Sequence, residues 1–289
     1  MTFGQHGVAL DGFIAGAAAV FSAWFSLPVY IGMLLYYVLA ASVVYIGMKF
    51  VGICEKIAVF SMIGVIGILF VATLISEISP LPAEFIASNN VMALYSMVAF
   101  SLSAVMSVPQ VVKGLNGDRI KIRGSIALGT GVNVGLILLI TFMTLLGAGE
   151  NISENGALVD LSIHLGGWVS IVGYVFSLLA LSTSFWANTL NLRDIVHEQT
   201  KWGKKICWLA ATLPCLLVAL LGVQSFVGFT RLAGVVQILT GIGIIIAYNR
   251  SRKRAGESPI CGKLGTLPFQ ILVIAGSLLS TIGSLLHVL

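Results

Sequence analysis

Long apolar runs alternate with short polar ones along the whole chain. Nine stretches are apolar over roughly 20 residues: 7–27, 28–50, 55–78, 91–113, 123–148, 165–192, 205–223, 226–248 and 266–288. A helix of about 20 apolar residues crosses about 30 Å of hydrocarbon. The pattern therefore predicts an all-α integral membrane protein with about nine transmembrane helices. No polar stretch is long enough to bury a core of its own, so residues 1–289 read as a single transmembrane domain. Only Ser26-Leu27-Pro28 divides the first two runs. Proline lacks a donor and disfavours helix at the residue before it, which predicts a tight turn there. One kinked, partly re-entrant segment is the alternative.

Two runs depart from the apolar pattern. FSLSAVMSVPQVVKG, residues 100–114, holds Ser101, Ser103 and Ser107, then Pro109. Lipid offers no partner for a broken backbone, so breaks occur where they are buried in protein or line a cavity. Secondary transporters use them: freed N–H groups hold an anionic group, and freed carbonyls hold a cation or donor. The plainer reading is a serine-rich, proline-kinked packing face. FSLLALSTSFWANTLNLRDI, residues 176–195, holds Ser182, Thr183, Ser184, Asn188 and Asn191. At helical spacing Ser184, Asn188 and Asn191 share a face, with Thr183 beside them. Interhelical hydrogen bonds of about 0.6 kcal/mol each are the plainer account. That account does not explain why IAVFSMIGVIGILFVATLI is nearly bare of polar groups.

Composition agrees with the pattern: 9% of residues are charged, against about 25% in soluble domains. The net charge of +5 is sorted along the chain. Lys49 and Lys56; Lys113, Arg119, Lys121 and Arg123; Arg193, Lys201, Lys204 and Lys205; and Arg250, Arg252, Lys253, Arg254 and Lys263 all flank alternate connections. The other connections carry Glu77, Glu84, Glu150, Glu154 and Asp160 and no basic residue. The positive-inside rule then places the N-terminus in the cytoplasm and the C-terminus outside. Anionic lipid accounts for the charge, and nucleic acid is not an expected partner.

The remaining basic residue, Arg231, falls inside the eighth run. An intramembrane charge is a candidate functional group; snorkelling to the outer interface is the alternative. Asp11 is the one acid inside an apolar run rather than at its extreme ends, and its position near a helix start favours a solvated role. Cys54, Cys207, Cys215 and Cys261 form no CxxC pair, and the four histidines have no metal-ligand spacing. No metal or other cofactor is expected. Nor is an enzyme, since no cluster of acids, bases or ligands sits at membrane depth. The opening MTFGQHG has no basic n-region, so no cleavable signal peptide is expected. Trp168, Trp202 and Trp208 suit an interfacial aromatic belt.

The run FSLSAVMSVPQVVKGLNGDRIKIRGSIALGTGV resembles the sixth and seventh helices of amino-acid permeases of the amino acid/polyamine/organocation superfamily. It is most like the hydroxy and aromatic amino acid permeases. The matching features are Phe100-Ser101, Val108-Pro109, Val112-Lys113, the basic loop, and Gly124 or Gly129. ALSTSFWANTLNLRDI resembles their eighth helix, and FTRLAGVVQILTGIGIIIAYNRSRKR their tenth. The similarity covers residues 50–289. It implies an incomplete five-plus-five inverted-repeat (LeuT-type) transporter fold. Residues 7–78 would be a partial first repeat, 91–248 the second repeat, and 266–288 an additional helix. The nine runs become the family's helices three to eleven. The first helix of the family carries a glycine-rich break and half of the substrate site, and nothing before residue 30 resembles it; GFIAGAAAV, residues 12–20, has no such break.

By the same resemblance, Phe100, Ser101, Leu102, Ser103 and Ala104 line a substrate site, with Ser184 and Asn188 facing it. Ser182 and Thr183 sit where sodium-coupled relatives hold a cation, and Arg231 acts at an outer gate. The implied activity is secondary active transport of amino acids, aromatic or hydroxy, across the plasma (inner) membrane. The coupling ion is a proton or sodium, with the proton preferred because no carboxylate joins the hydroxyls. Nucleobase-type substrates stay open. So does a truncated, non-transporting fragment, or a subunit that completes its site with a partner chain.

Overall fold

The computed structural model describes residues 2–76, 91–103, 107–149, 161–162, 165–222, 226–255 and 265–285. Among them lie ten helices. They are α1 (Thr2–Phe25), α2 (Val29–Ile46), α3 (Met48–Ile75), α4 (Val91–Ser101), α5 (Val108–Gly114), α6 (Arg119–Ala148), α7 (Trp168–Thr200), α8 (Lys204–Leu220), α9 (Phe226–Ala255) and α10 (Leu267–Leu285). Five of these, α2, α3, α6, α7 and α10, are long and apolar enough to cross a membrane. The chain has the build of a multi-pass integral membrane protein. Outward leucines and isoleucines such as Leu39, Ile57, Leu128 and Leu272 are exposed, as suits helices bathed in hydrocarbon.

Helix ends follow backbone chemistry more than polarity. Pro28 caps the start of α2, and its carbonyl accepts from Ile31 N and Gly32 N. With Ser26 at φ +54° the chain reverses, and α1 packs against α2. A Cβ at Gly32 would lie 3.2 Å from the Ala18 backbone, so the glycine permits this close approach. The connection expected after residue 50 is instead a single residue, Gly47 at φ +126°. Glycine reaches that region without strain, and α3 begins at once. Lys49, Glu55 and Lys56 therefore ride on its first turns rather than in a loop. α7 runs to Thr200, past the expected end at 192. Charged residues end a membrane span but not a helix; Lys201 at φ +59° ends this one.

The main core joins α1, α2, α7 and α8. Leu10, Ile14, Ala17 and Ala18 meet Tyr36, Ala40 and Val44, with Phe185, Leu190, Ala211 and Leu216. The Tyr36 ring lies edge-on to Phe185 at 5.8 Å. Tyr37 Oη pairs with Thr212 Oγ1 at 3.0 Å, and Trp208 Nε1 donates to the Ala41 carbonyl at 3.0 Å. The partner number falls as the first rises, so α2 and α8 run antiparallel. A smaller core of Leu69, Met143, Leu161 and Val169 sits under α3, α6 and α7. α9 pairs with α10 through reciprocal amide bonds between Asn249 and Gln270.

Candidate functional site

The fourth apolar run is not one helix. Its first half ends with a tightened turn: Leu102 N donates to the Val98 carbonyl and Ser103 N to the Phe100 carbonyl. Ser101 Oγ also donates to Val98 O, at 2.9 Å. Helix resumes in α5, with Pro109 in its first turn, where a missing N–H costs nothing. The two halves have different partners. α4 lies on α10, where Tyr95 Oη donates to the Gly276 carbonyl and Ser96 pairs with Ser284. α5 faces α6 and α7. Gln110 Nε2 donates to the Ala187 carbonyl at 3.1 Å, and Lys113 Nζ meets Asp194 Oδ2 at 2.9 Å. Both partner numbers rise together, so α5 and α7 run in the same direction.

Loop chemistry fixes α6 beside the interruption. Asn116 and Gly117 take positive φ, and Asp118 caps α6 by accepting from Ile120 N and Lys121 N. Those bonds and the Lys121 ammonium 3.2 Å away hold the Asp118 carboxyl below its ordinary range, the Lys121 amide contributing most. One face of α6 then carries Ser125, Gly129, Thr130 and Asn133 toward the interruption. Asn133 Nδ2 donates to the Ser101 carbonyl at 3.0 Å, replacing an acceptor's partner lost at the helix end. A cleft of about 280 Å³ lies between them, walled by Ser101, Leu102, Ser103 and Ser107 on one side and this α6 face on the other.

Of the expected substrate residues, Ser101, Leu102 and Ser103 line this cleft. Phe100 sits half-buried in the last turn of α4, outside the lining, and Ala104 lies outside the described residues. Ser184 and Asn188 lie on α7 and do not line the cleft. Asn188 Nδ2 donates to the Ser184 carbonyl at 2.8 Å, and Thr183 Oγ1 to the Ala180 carbonyl at 3.0 Å. Ser182 lies beside the buried Tyr36 hydroxyl. Arg231 is placed in α9, but its side chain lies outside those described. Ser125, Thr130 and Asn133 were not singled out from the sequence. Their spacing of five, three and eight along one helix was the available signal, hidden in a run that otherwise reads as a plain span.

Asp11 corrects an expectation. It is not a solvated helix-start residue: α1 begins at Thr2, and Asp11 is 5% exposed within the core. Cys54, Cys207 and Cys215 are free thiols. Among the described residues, no three His, Cys, Asp or Glu side chains are grouped to hold a metal ion. The cleft can accept and donate hydrogen bonds through neutral hydroxyls, an amide and backbone, and Ser101–Asn133 fixes its shape. No protein-family model matches the chain, and no curated protein matches it either.

Proposed function

We propose that the chain is a secondary transporter, a permease for amino acids of the aromatic or hydroxy type, coupled to protons. The observation that carries this reading is the interruption between α4 and α5 beside a polar cleft. A zwitterion needs an acceptor for its ammonium and donors for its carboxylate, in a site with no net charge. The carbonyl end of α4 supplies the first, and the hydroxyls of Ser103, Ser107, Ser125 and Thr130 supply the second. Apolar walls from Leu102, Val108, Val111 and Ile126 accommodate a side chain.

On this reading the chain is an incomplete inverted-repeat transporter. α1 to α3 form a partial first repeat, α4 to α9 the second, and α10 an added helix. The nine runs cross the inner membrane with a cytoplasmic N-terminus. Ser182 and Thr183 stand near the coupling path and Arg231 near an outer gate. A second reading is favoured by one observation: 6% of the apolar stretch of α6 is buried, against 33% for α2. That bare surface, next to the cleft, suits a chain whose site is completed by helices of a partner.

The test is uptake of labelled tryptophan, tyrosine, serine and threonine by cells expressing the inserted chain, with and without a protonophore. Ser103→Trp fills the cleft and serves as the blocked form. Uptake abolished by both supports the permease. Absence of uptake from inserted protein removes transport by this chain alone and leaves the partner-completed reading.

A further inference from the structure

The buried acid of α1, Asp11, has no role in the cleft. Asp11 lies about 14 Å along α1 from Thr2 at 1.5 Å per residue, between the fully buried Leu10 and Ile14. Its Oδ1 is buried with no hydrogen-bond partner among the described residues. The side chain facing it is the Cys215 thiol of α8. Cys215 follows Pro214, which interrupts the hydrogen-bond ladder of α8 at the same level.

No described counter-charge reaches this carboxyl. From α2 comes Tyr36, which packs in the same core as Leu10 and Ile14 with its hydroxyl beside Ser182. On α7, Arg193 is paired with Asp194 at 2.9 Å, while His197 and Glu198 are exposed. On α8, Lys204 and Lys205 are exposed, as are Arg250, Arg252, Lys253 and Arg254 on α9. His6 on α1 and Arg231 on α9 have side chains outside those described. A lone ionised carboxylate in such a core is strongly penalised by lost hydration, and buried charges are ordinarily paired. With the Cys215 thiol as its neighbour and no counter-charge among the described residues, the carboxyl is suited to bind and release a proton.

We propose that Asp11 is the proton-binding site of the bundle. Its carboxyl takes a proton from one aqueous face and returns it to the other as α1 moves against the proline-weakened stretch of α8. The Cys215 thiol acts as a positioning group. The link to substrate movement rests on the transport reading above; the proton site itself does not.

The experiment uses the full chain reconstituted in lipid, with two readouts. Infrared difference spectra across a pH titration should show one carboxylic-acid carbonyl band that is absent in Asp11→Asn and shifted in Cys215→Ala. A titration unchanged by Asp11→Asn overturns the proposal. In vesicles, Asp11→Asn should lose net proton-driven uptake relative to substrate exchange, and Asp11→Glu should regain part of it. Net uptake by Asp11→Asn that a protonophore still stops also overturns it. If the parent chain moves no substrate, the transport reading fails, and the infrared band alone decides whether Asp11 holds a proton.

Discussion

The fourth and sixth apolar runs carry similar serine clusters, yet one is broken and the other is a continuous helix of 33 residues. From Tyr174 to Thr200, α7 contains neither glycine nor proline. Its polar side chains turn back on their own helix: Thr183 to Ala180, Asn188 to Ser184, Thr200 to Val196. In the fourth run α4 ends at Ser101, whose carbonyl is met from a different helix by Asn133, and Pro109 sits in the first turn of α5. Hydroxyls alone do not open a helix. The fourth run parts where a neighbouring helix supplies a donor to the exposed carbonyl and a proline fits the first turn of the restart.

The sharpest way to break this comparison is to attack the packing of α7. Phe185 is fully buried against Tyr36. Phe185→Ala should cost about 2–3 kcal/mol in detergent unfolding, below the range for soluble cores because lipid-facing states keep part of the apolar contact. An equal loss from Phe100→Ala, in half-buried α4, would place the anchor in the broken run instead. Asn133→Leu leaves the Ser101 carbonyl without its donor and should cost about 1–2 kcal/mol, with a larger fall in uptake than in stability. Ser182→Ala, by contrast, should cost about 0.6 kcal/mol; equal effects on uptake would erase the distinction between the two runs.

Smaller effects test how α5 is held. Lys113 and Asp194 are about half and one-third exposed, so Lys113→Met should cost under about 1 kcal/mol, and less in high salt. The smallest effect is the cap of α6. Folding depresses the Asp118 carboxyl through its bonds to Lys121 and Ile120. Its contribution is therefore present above the ordinary Asp value of about 3.9 and lost as pH falls through the lower folded value. Hydrogen exchange at Ile120 and Lys121 should speed up over that window in the parent chain. Asp118→Asn keeps the cap and should flatten the pH response.

The sequence by itself determined the membrane class, the approximate positions of the apolar helices and the break near Pro109. These depend on run length and on local backbone chemistry, which neighbours in sequence control. The turn at Pro28 was legible for the same reason. Helix ends at Gly47 and Thr200 were misplaced because polarity marks the edge of lipid, whereas a positive φ marks the edge of a helix. Only the tertiary structure decided which polar groups meet. It brought Ser125, Thr130 and Asn133 to the break and kept Ser184 and Asn188 out of the cleft. It also turned Asp11 into the core. A periodicity shows which residues share a helix face, but the facing partner is set by long-range packing, which no local pattern along a uniformly apolar chain encodes.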